Sequence, residues 1–294
     1  MDLKNFSNER YVIKDDIPRF VENDNFASSF GLQWNTFRRI QLDSYTKTNM
    51  SEDRVRTALP FPLESIKGLK ILEAGSGAGR FTEILLKYGA DVYSFDLSDA
   101  VLANYANNMP NNKLTIFQGD IEDIPFNENF FDISLCLGVM QHTRNFSLGL
   151  KEIVRVTKRG GTISFDHYKS HFGHYTSMYL IYWIVIKQLP KKLQLKVTNF
   201  LTAMFFPIHW IFRKNSIIQY ILRRISPISF YYGMFNLSKD QHYELSKLDT
   251  HDKNTDHFKR MLTAKQLDKI IAKFKFKKFK IFEGGTGLQC IITK

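Results

Sequence analysis

Three glycines at alternate positions, Gly75, Gly77 and Gly79, follow the apolar run Ile71-Leu-Glu-Ala74, which carries an acid at Glu73. With no Cβ in the way, such a loop turns sharply and brings backbone amides close to a ligand. The amphipathic stretch starting near Gly79 reads as a helix whose first N–H groups face that ligand. Two more apolar runs end in acids: Asp91-Val-Tyr-Ser-Phe-Asp96 and Leu114-Thr-Ile-Phe-Gln-Gly-Asp120. A carboxylate about twenty residues past the glycines is placed to accept both hydroxyls of a ribose. The chemistry is that of nucleoside binding. A dinucleotide fingerprint would set its third glycine where Arg80 stands, and no Gly-Lys-Ser/Thr serves a triphosphate. Glu73, two residues before the first glycine, suits a ligand with a cationic amino-acid end and no phosphate.

These residues need a sheet to hold them. Phe131-Asp-Ile-Ser-Leu-Cys-Leu-Gly138 is apolar enough for a parallel strand covered on both faces. A helix is expected from about Asn145 to Thr157, stopped at Lys158-Arg-Gly-Gly161, and a fifth strand over Thr162–Asp166. Near the end, apolar residues at 267, 270, 271 and 274 predict a helix, followed by a strand over 277–282, a turn at Gly284–Gly287 and a closing strand over 288–293. The expected units are an N-terminal helical segment (1–60), a binding core (61–168), a helical insertion (169–250) and a helix with two strands that complete the core (251–294).

The order Glu-Ala-Gly-Ser-Gly-Ala-Gly, then Asp96-Leu97, then Asp120-Ile121, then the fourth strand, resembles the class I S-adenosylmethionine-dependent methyltransferases. The resemblance implies an α/β fold, a doubly wound seven-stranded sheet of Rossmann type, with the insertion after strand 5. It implies S-adenosylmethionine as cofactor, held by Glu73, Gly75, Ser76, Gly77, Gly79, Asp96, Leu97, Asp120, Ile121 and Leu137, with Asp120-Ile121 along the adenine and the closing strand antiparallel. Glu73-Ala stands where the family more often has Asp-Val or Asp-Ile, which leaves the acid in place. Three segments, around Phe30-Gly-Leu-Gln-Trp34, Met140-Gln-His-Thr143 and Leu248-Asp-Thr-His-Asp252, resemble a branch found among surface polysaccharide and glycolipid genes.

Methyl transfer from a sulfonium asks mainly for alignment and desolvation; a hydroxyl acceptor adds the need for a base. His142, after the fourth strand, and His167, just past the fifth, are the candidates, with Asp166 either orienting His167 or capping. A histidine near a strand end is more often a satisfied loop residue than a base. Arg80 reads as solvent-facing or substrate-facing, and Glu122 and Asp123 as solvated loop charges. Cys136 and Cys290 lie in apolar strands as small hydrophobes, and without CxxC spacing they indicate neither a metal site nor a disulfide framework.

Over 294 residues the net charge is +12, with 44% hydrophobic and 24% charged residues, the composition of a globular protein. From His167 through Lys239 there is no Asp or Glu and there are ten Lys or Arg. The apolar runs between them extend about ten residues at most, against the roughly twenty of a spanning helix. The insertion therefore reads as a basic, aromatic lid, either with a solvated rim or docked on a membrane or a lipid-linked substrate. Nucleic acid is disfavoured, because Leu137-Gly-Val-Met-Gln-His-Thr stands where base-amino methyltransferases have Asn/Asp-Pro-Pro-Tyr/Phe. With no secretory h-region at Met1-Asp-Leu-Lys-Asn and few cysteines, the expected compartment is the cytoplasm, with peripheral contact at the inner membrane face. The expected activity is methyl transfer to a hydroxyl of a sugar or glycolipid. Two alternatives stand beside it: a methyltransferase of a prenylated quinone or other lipid, and a non-catalytic membrane-associated scaffold.

Overall fold

The computed structural model describes residues 3–7, 10–22, 27–170, 177–276 and 278–294. Seven strands form the expected core: β3 Lys70–Ala74, β4 Asp91–Asp96, β5 Leu114–Gln118, β6 Phe131–Cys136, β7 Thr157–Tyr168, β8 Lys278–Gly284 and β9 Gly287–Thr293. Their order is β5-β4-β3-β6-β7-β9-β8, with β9 antiparallel to both neighbours. The sheet differs from the expectation at one edge. A hairpin of β1 Val12–Lys14 and β2 Ile17–Arg19 adds two strands beside β5, making nine among the described residues. The first sixty residues are therefore not helical throughout. Arg19, buried, reaches Gln118 at 2.6 Å across this added junction.

Alternation along each strand builds two apolar layers. Ile71, Val92 and Ile133 face α3 Met50–Ala58, α4 Arg80–Lys87 and α5 Ala100–Asn108, where Val55, Ile84 and Val101 are buried with them. Leu72, Phe117 and Phe165 face the other way, onto Leu150 and Ile153 of α6 Phe146–Val156 and Leu267 and Ile271 of α11 Ala264–Ala272. Helix α4 begins where Gly79 takes φ 83° and buries Phe81, Ile84 and Leu85, spaced i, i+3 and i+4. Asn145 starts α6, its side chain accepting from the amides of Ser147 and Leu148. Strand β7 begins at Thr157, earlier than the glycine stop suggested, because Lys158–Gly161 joins it across an irregularity in the pairing with β6. Both cysteines are buried and free.

Between β7 and α11 lie α7 Tyr179–Ile186, α8 Lys191–Ile211, α9 Ser216–Ile225 and α10 Lys239–Thr255. Helix α10 runs past the expected boundary at 250 and ends at Thr255. It packs against α7, α8 and α1 Ser28–Thr36, and its Leu245 and Leu248 close on Phe37 and Ile40 after α1. Asp24–Phe26 of the expected N-terminal segment lie outside the described residues. Among the described residues no helix is long and apolar enough to cross a membrane.

Candidate active site

Above the carboxyl ends of β3, β4, β5 and β6 lies a cavity of about 960 Å³, within the usual span of small-molecule sites. Gly75, Ser76, Gly77, Asp96, Leu97, Asp120, Ile121, Leu137 and His142 all line it, so the structure brings together nine of the twelve residues named from the sequence. Gly77 N–H donates to Asp96 Oδ2 at 3.0 Å, while Ser98 supplies its amide and hydroxyl to Oδ1. Burial of Asp96 pushes its carboxyl above the usual range. Asp120 caps its own turn by accepting from Glu122 N–H and also accepts from Arg144 at 2.6 Å.

Gly75, at φ 76°, passes so close to Val139 that a Cβ would collide with both methyl groups of that side chain. Gly75→Ala is expected to cost about 1–3 kcal/mol of stability and to impair binding in the cavity. Val139→Ala in the same chain should restore part of both, as read by thermal melting and ligand titration.

Three expected residues lie elsewhere, each for a geometric reason. Glu73 points beneath the glycine loop; its Oε2 accepts from the hydroxyls of Thr82 and of Ser94, the latter at 2.8 Å. Its carboxyl joins β3 to α4 and β4 and does not line the cavity. Gly79 faces α5, where a Cβ would meet the side-chain amides of Asn104 and Asn108. His167 is buried on the α6 side of β7, its ring 5.6 Å from that of Phe146. Side chains alternate along a strand, so Tyr168 reaches the cavity and His167 does not. Asp166 does not orient His167: it accepts from Gly138 N–H at 2.6 Å and from Thr286 N–H at 3.2 Å, and it pairs with Arg54.

Burial raises the Glu73 carboxyl to about 7, against hydrogen bonds from Thr82 and Ser94 that pull it down. A folded-state value above the unfolded one, about 4.3, means that stability falls as pH rises between the two and stays low above. Glu73→Gln should therefore be more stable than the parent at pH 8, by on the order of 1–3 kcal/mol, and lose that advantage near pH 4. Denaturant titrations at the two pH values check it.

His142 sits at the cavity with Nδ1 2.9 Å from Asp256 Oδ2, and its ring meets those of Phe30 and Tyr168 edge-on. Burial pulls its pKa down, but the Asp256 and Asp252 carboxylates outweigh burial and leave it above the ordinary imidazole value. Glu122, read as a solvated charge, is instead a half-buried cavity residue that accepts from Asn145 N–H at 2.7 Å. Arg80 also turns inward, bonded to Gln41 at 2.8 Å and Ser51 at 3.1 Å, and burial lowers it to about 10.

The insertion and the N-terminal segment supply walls that the motifs did not announce. Asp249, Asp252 and Lys253 come from α10, Tyr231 from the segment after α9, Arg54 from α3, and Trp34 from α1. Burial, with Asp252 nearby, lifts Asp249 to about 7. The Leu248–Asp252 stretch had been singled out by resemblance, and acids at i and i+3 on a helix share a face; that was the available signal. For Arg54 there was none.

The donor set fits S-adenosylmethionine. Ser76 Oγ is buried at the cavity without a partner among the described residues, Gly75 and Gly77 line the same space with no side chain in the way, and an acid stands at the β4 tip where a ribose would lie. The glycine loop carries no lysine of the kind that serves a triphosphate. The strand order, the turn after β3 and this cavity define the fold of class I S-adenosylmethionine-dependent methyltransferases. The family profile of a methyltransferase domain matches residues 72–165, so that stretch is a methyltransferase domain with S-adenosylmethionine as its cofactor. Over 129 residues the chain is 29% identical to the ubiquinone biosynthesis O-methyltransferase of Coxiella burnetii, covering 43% of this chain and 55% of that protein. It is 32% identical over 98 residues to the malonyl-[acyl-carrier protein] O-methyltransferase of Pectobacterium atrosepticum, covering 33% and 38%. The match thus spans about half the length of these relatives or less. An S-adenosylmethionine dependent methyltransferase from Mesorhizobium loti superposes with a TM-score of 0.45 and 14% identity, over 83% of this chain and 95% of that one.

Proposed function

We propose that this chain transfers a methyl group from S-adenosylmethionine to a hydroxyl oxygen of a lipid-linked acceptor. One observation carries the reading: His142, backed by Asp256, shares a single cavity with the Gly75–Gly77 loop and Asp96. S-adenosylmethionine, when bound, supplies a methyl group on a positively charged sulfur. The protein's part is to align and to move one proton. Asp96 and Ser76 Oγ would hold the nucleoside end against the glycine loop, while Trp34 covers Gly77 at 3.0 Å from where a side chain would begin. With Nδ1 turned to Asp256, His142 Nε2 is the nitrogen left to take the proton from an acceptor hydroxyl. Asp256 stabilises the imidazolium that results.

Both curated relatives are named as O-methyltransferases, which supports oxygen as the acceptor atom. The ubiquinone relative supports a phenolic, prenylated acceptor; neither relative's name points to sugars. The glycolipid reading keeps one supporting feature, the half-buried carboxylates of Asp249 and Asp252 beside Tyr231 at the cavity, groups suited to binding sugar hydroxyls. Purified protein should be incubated with S-adenosylmethionine and, separately, a prenylated catechol and a long-chain alkyl glycoside, with product mass as the readout. A gain of one methylene on the catechol supports the first carrier and on the glycoside the second. No transfer to any hydroxyl, with calorimetry showing cofactor bound, would overturn oxygen transfer. Absence of cofactor binding would instead favour a scaffold.

A further inference from the structure

The helices of the insertion turn much of their apolar surface outward. Helix α8 buries Gln194, Thr198, Thr202 and His209 together with Phe206 and turns Phe200, Met204, Ile208 and Ile211 to the outside, with Phe200 65% and Ile211 70% exposed. The outward residues fall at i, i+4, i+8 and i+11, one continuous stripe. The inward polar groups meet one another: Thr198 Oγ1 lies 3.1 Å from Nδ1 of His251 on α10, and His209 reaches Gln219 of α9 at 2.9 Å and Ser226 at 2.8 Å. Helix α9 repeats the arrangement, with Gln219 and Leu222 inward and Ile217, Tyr220, Ile221 and Ile225 outward, Ile217 at 73%. Helix α7 exposes Ile181, Ile184 and Val185. A surface made for water would show the opposite pattern. Polar side chains bonded between helices, with apolar stripes outside, suit helices that lie against an apolar medium.

The charge around these stripes selects the medium. No acid occurs from His167 through Lys239, while ten cations do. Lys187 lies 3.7 Å from the Trp183 ring and Arg213 4.8 Å from that of Trp210, pairs typical of amphipathic side chains at a polar–apolar boundary. Lys187, Lys191 and Lys192 surround a hollow of about 570 Å³ at the start of α8. A second copy of this face would bring like charges together; an anionic surface would not. With no spanning helix among the described residues, the fitting arrangement is one in the plane of the interface.

We propose that the outward faces of α7, α8 and α9 dock on an anionic bilayer, with their apolar stripes in the headgroup boundary and the lysines and arginines at the lipid phosphates. The purpose rests on the methyl-transfer reading. Met234, 65% exposed and also a cavity residue, places part of the cavity wall on the segment after α9, next to the docked face.

Flotation with vesicles tests this without cofactor or substrate. Wild-type protein should float with phosphatidylcholine vesicles containing phosphatidylglycerol and about tenfold less with phosphatidylcholine alone, and added salt should release it. Replacing Phe200 and Ile211 by Glu, both exposed, should abolish flotation while leaving the melting temperature unchanged. Neutralising Lys191, Lys192, Arg223 and Arg224 to Gln should cut binding at least tenfold. Equal flotation on both vesicle types, none on either, or a dimer in light scattering that the Phe200/Ile211 variant dissolves would overturn the proposal. Calorimetry with S-adenosylmethionine on the same samples reports separately on the cofactor site.

Discussion

Replacing Asp96 by alanine is expected to weaken S-adenosylmethionine binding by about ten- to a hundredfold, measured by titration calorimetry. The carboxylate stands half-buried at the β4 tip; its Oδ1 already accepts twice from Ser98, while Oδ2 accepts from Gly77 and retains a lone pair for a ribose hydroxyl. A hydrogen bond to a charged group is worth about 1.5–3 kcal/mol, so the loss of one accounts for that factor. Asp96→Asn keeps one acceptor and should fall between. Because burial raises the Asp96 pKa, and the ionised form is the acceptor, affinity should be full above that raised value and decline as pH falls through it. Wild-type affinity in Asp96→Ala would remove this end of the cavity from the cofactor site.

For the second large effect, His142→Ala should lower turnover by about 10²- to 10⁴-fold, the usual worth of a positioned base, and leave cofactor binding within a few-fold. A base acts in its neutral form. The wild-type rate should therefore rise with pH through a single ionisation above about 6.5, since the Asp256 and Asp252 carboxylates outweigh burial at His142. Asp256→Asn removes one of those charges and should move the rising limb to lower pH by about 1–3 units, with a lower plateau as the ring loses its support. His142→Ala should show no such limb. Turnover within twofold of wild type in that variant would exclude His142 from proton transfer.

What was legible before the structure follows from how parallel sheets bind ligands. The site sits at strand ends, so local signals sufficed for Gly75, Gly77, Asp96 and Asp120: an apolar run, its terminal acid and the turn beyond it. The residues misplaced along those same strands failed on direction. Glu73 and His167 have the right types near the right ends, but a strand sends neighbouring side chains to opposite faces, and both face the packed layers. The N-terminal hairpin escaped notice because three-residue strands have almost no periodicity to read, and β2 meets β5 through a single paired position, Arg19 with Gln118.

The amino-acid sequence alone determined the domain's class, its cofactor loop and the excess of cations in the insertion, because each is written in neighbouring residues. Only the tertiary structure decided which histidine meets the cavity, that Asp249 and Arg54 join it from separate helices while Asp256 backs His142, and that the insertion turns its apolar stripes outward. Those facts depend on which side of each helix is covered. Periodicity reveals that a helix has two sides; packing by chain segments far away in sequence chooses which one is buried.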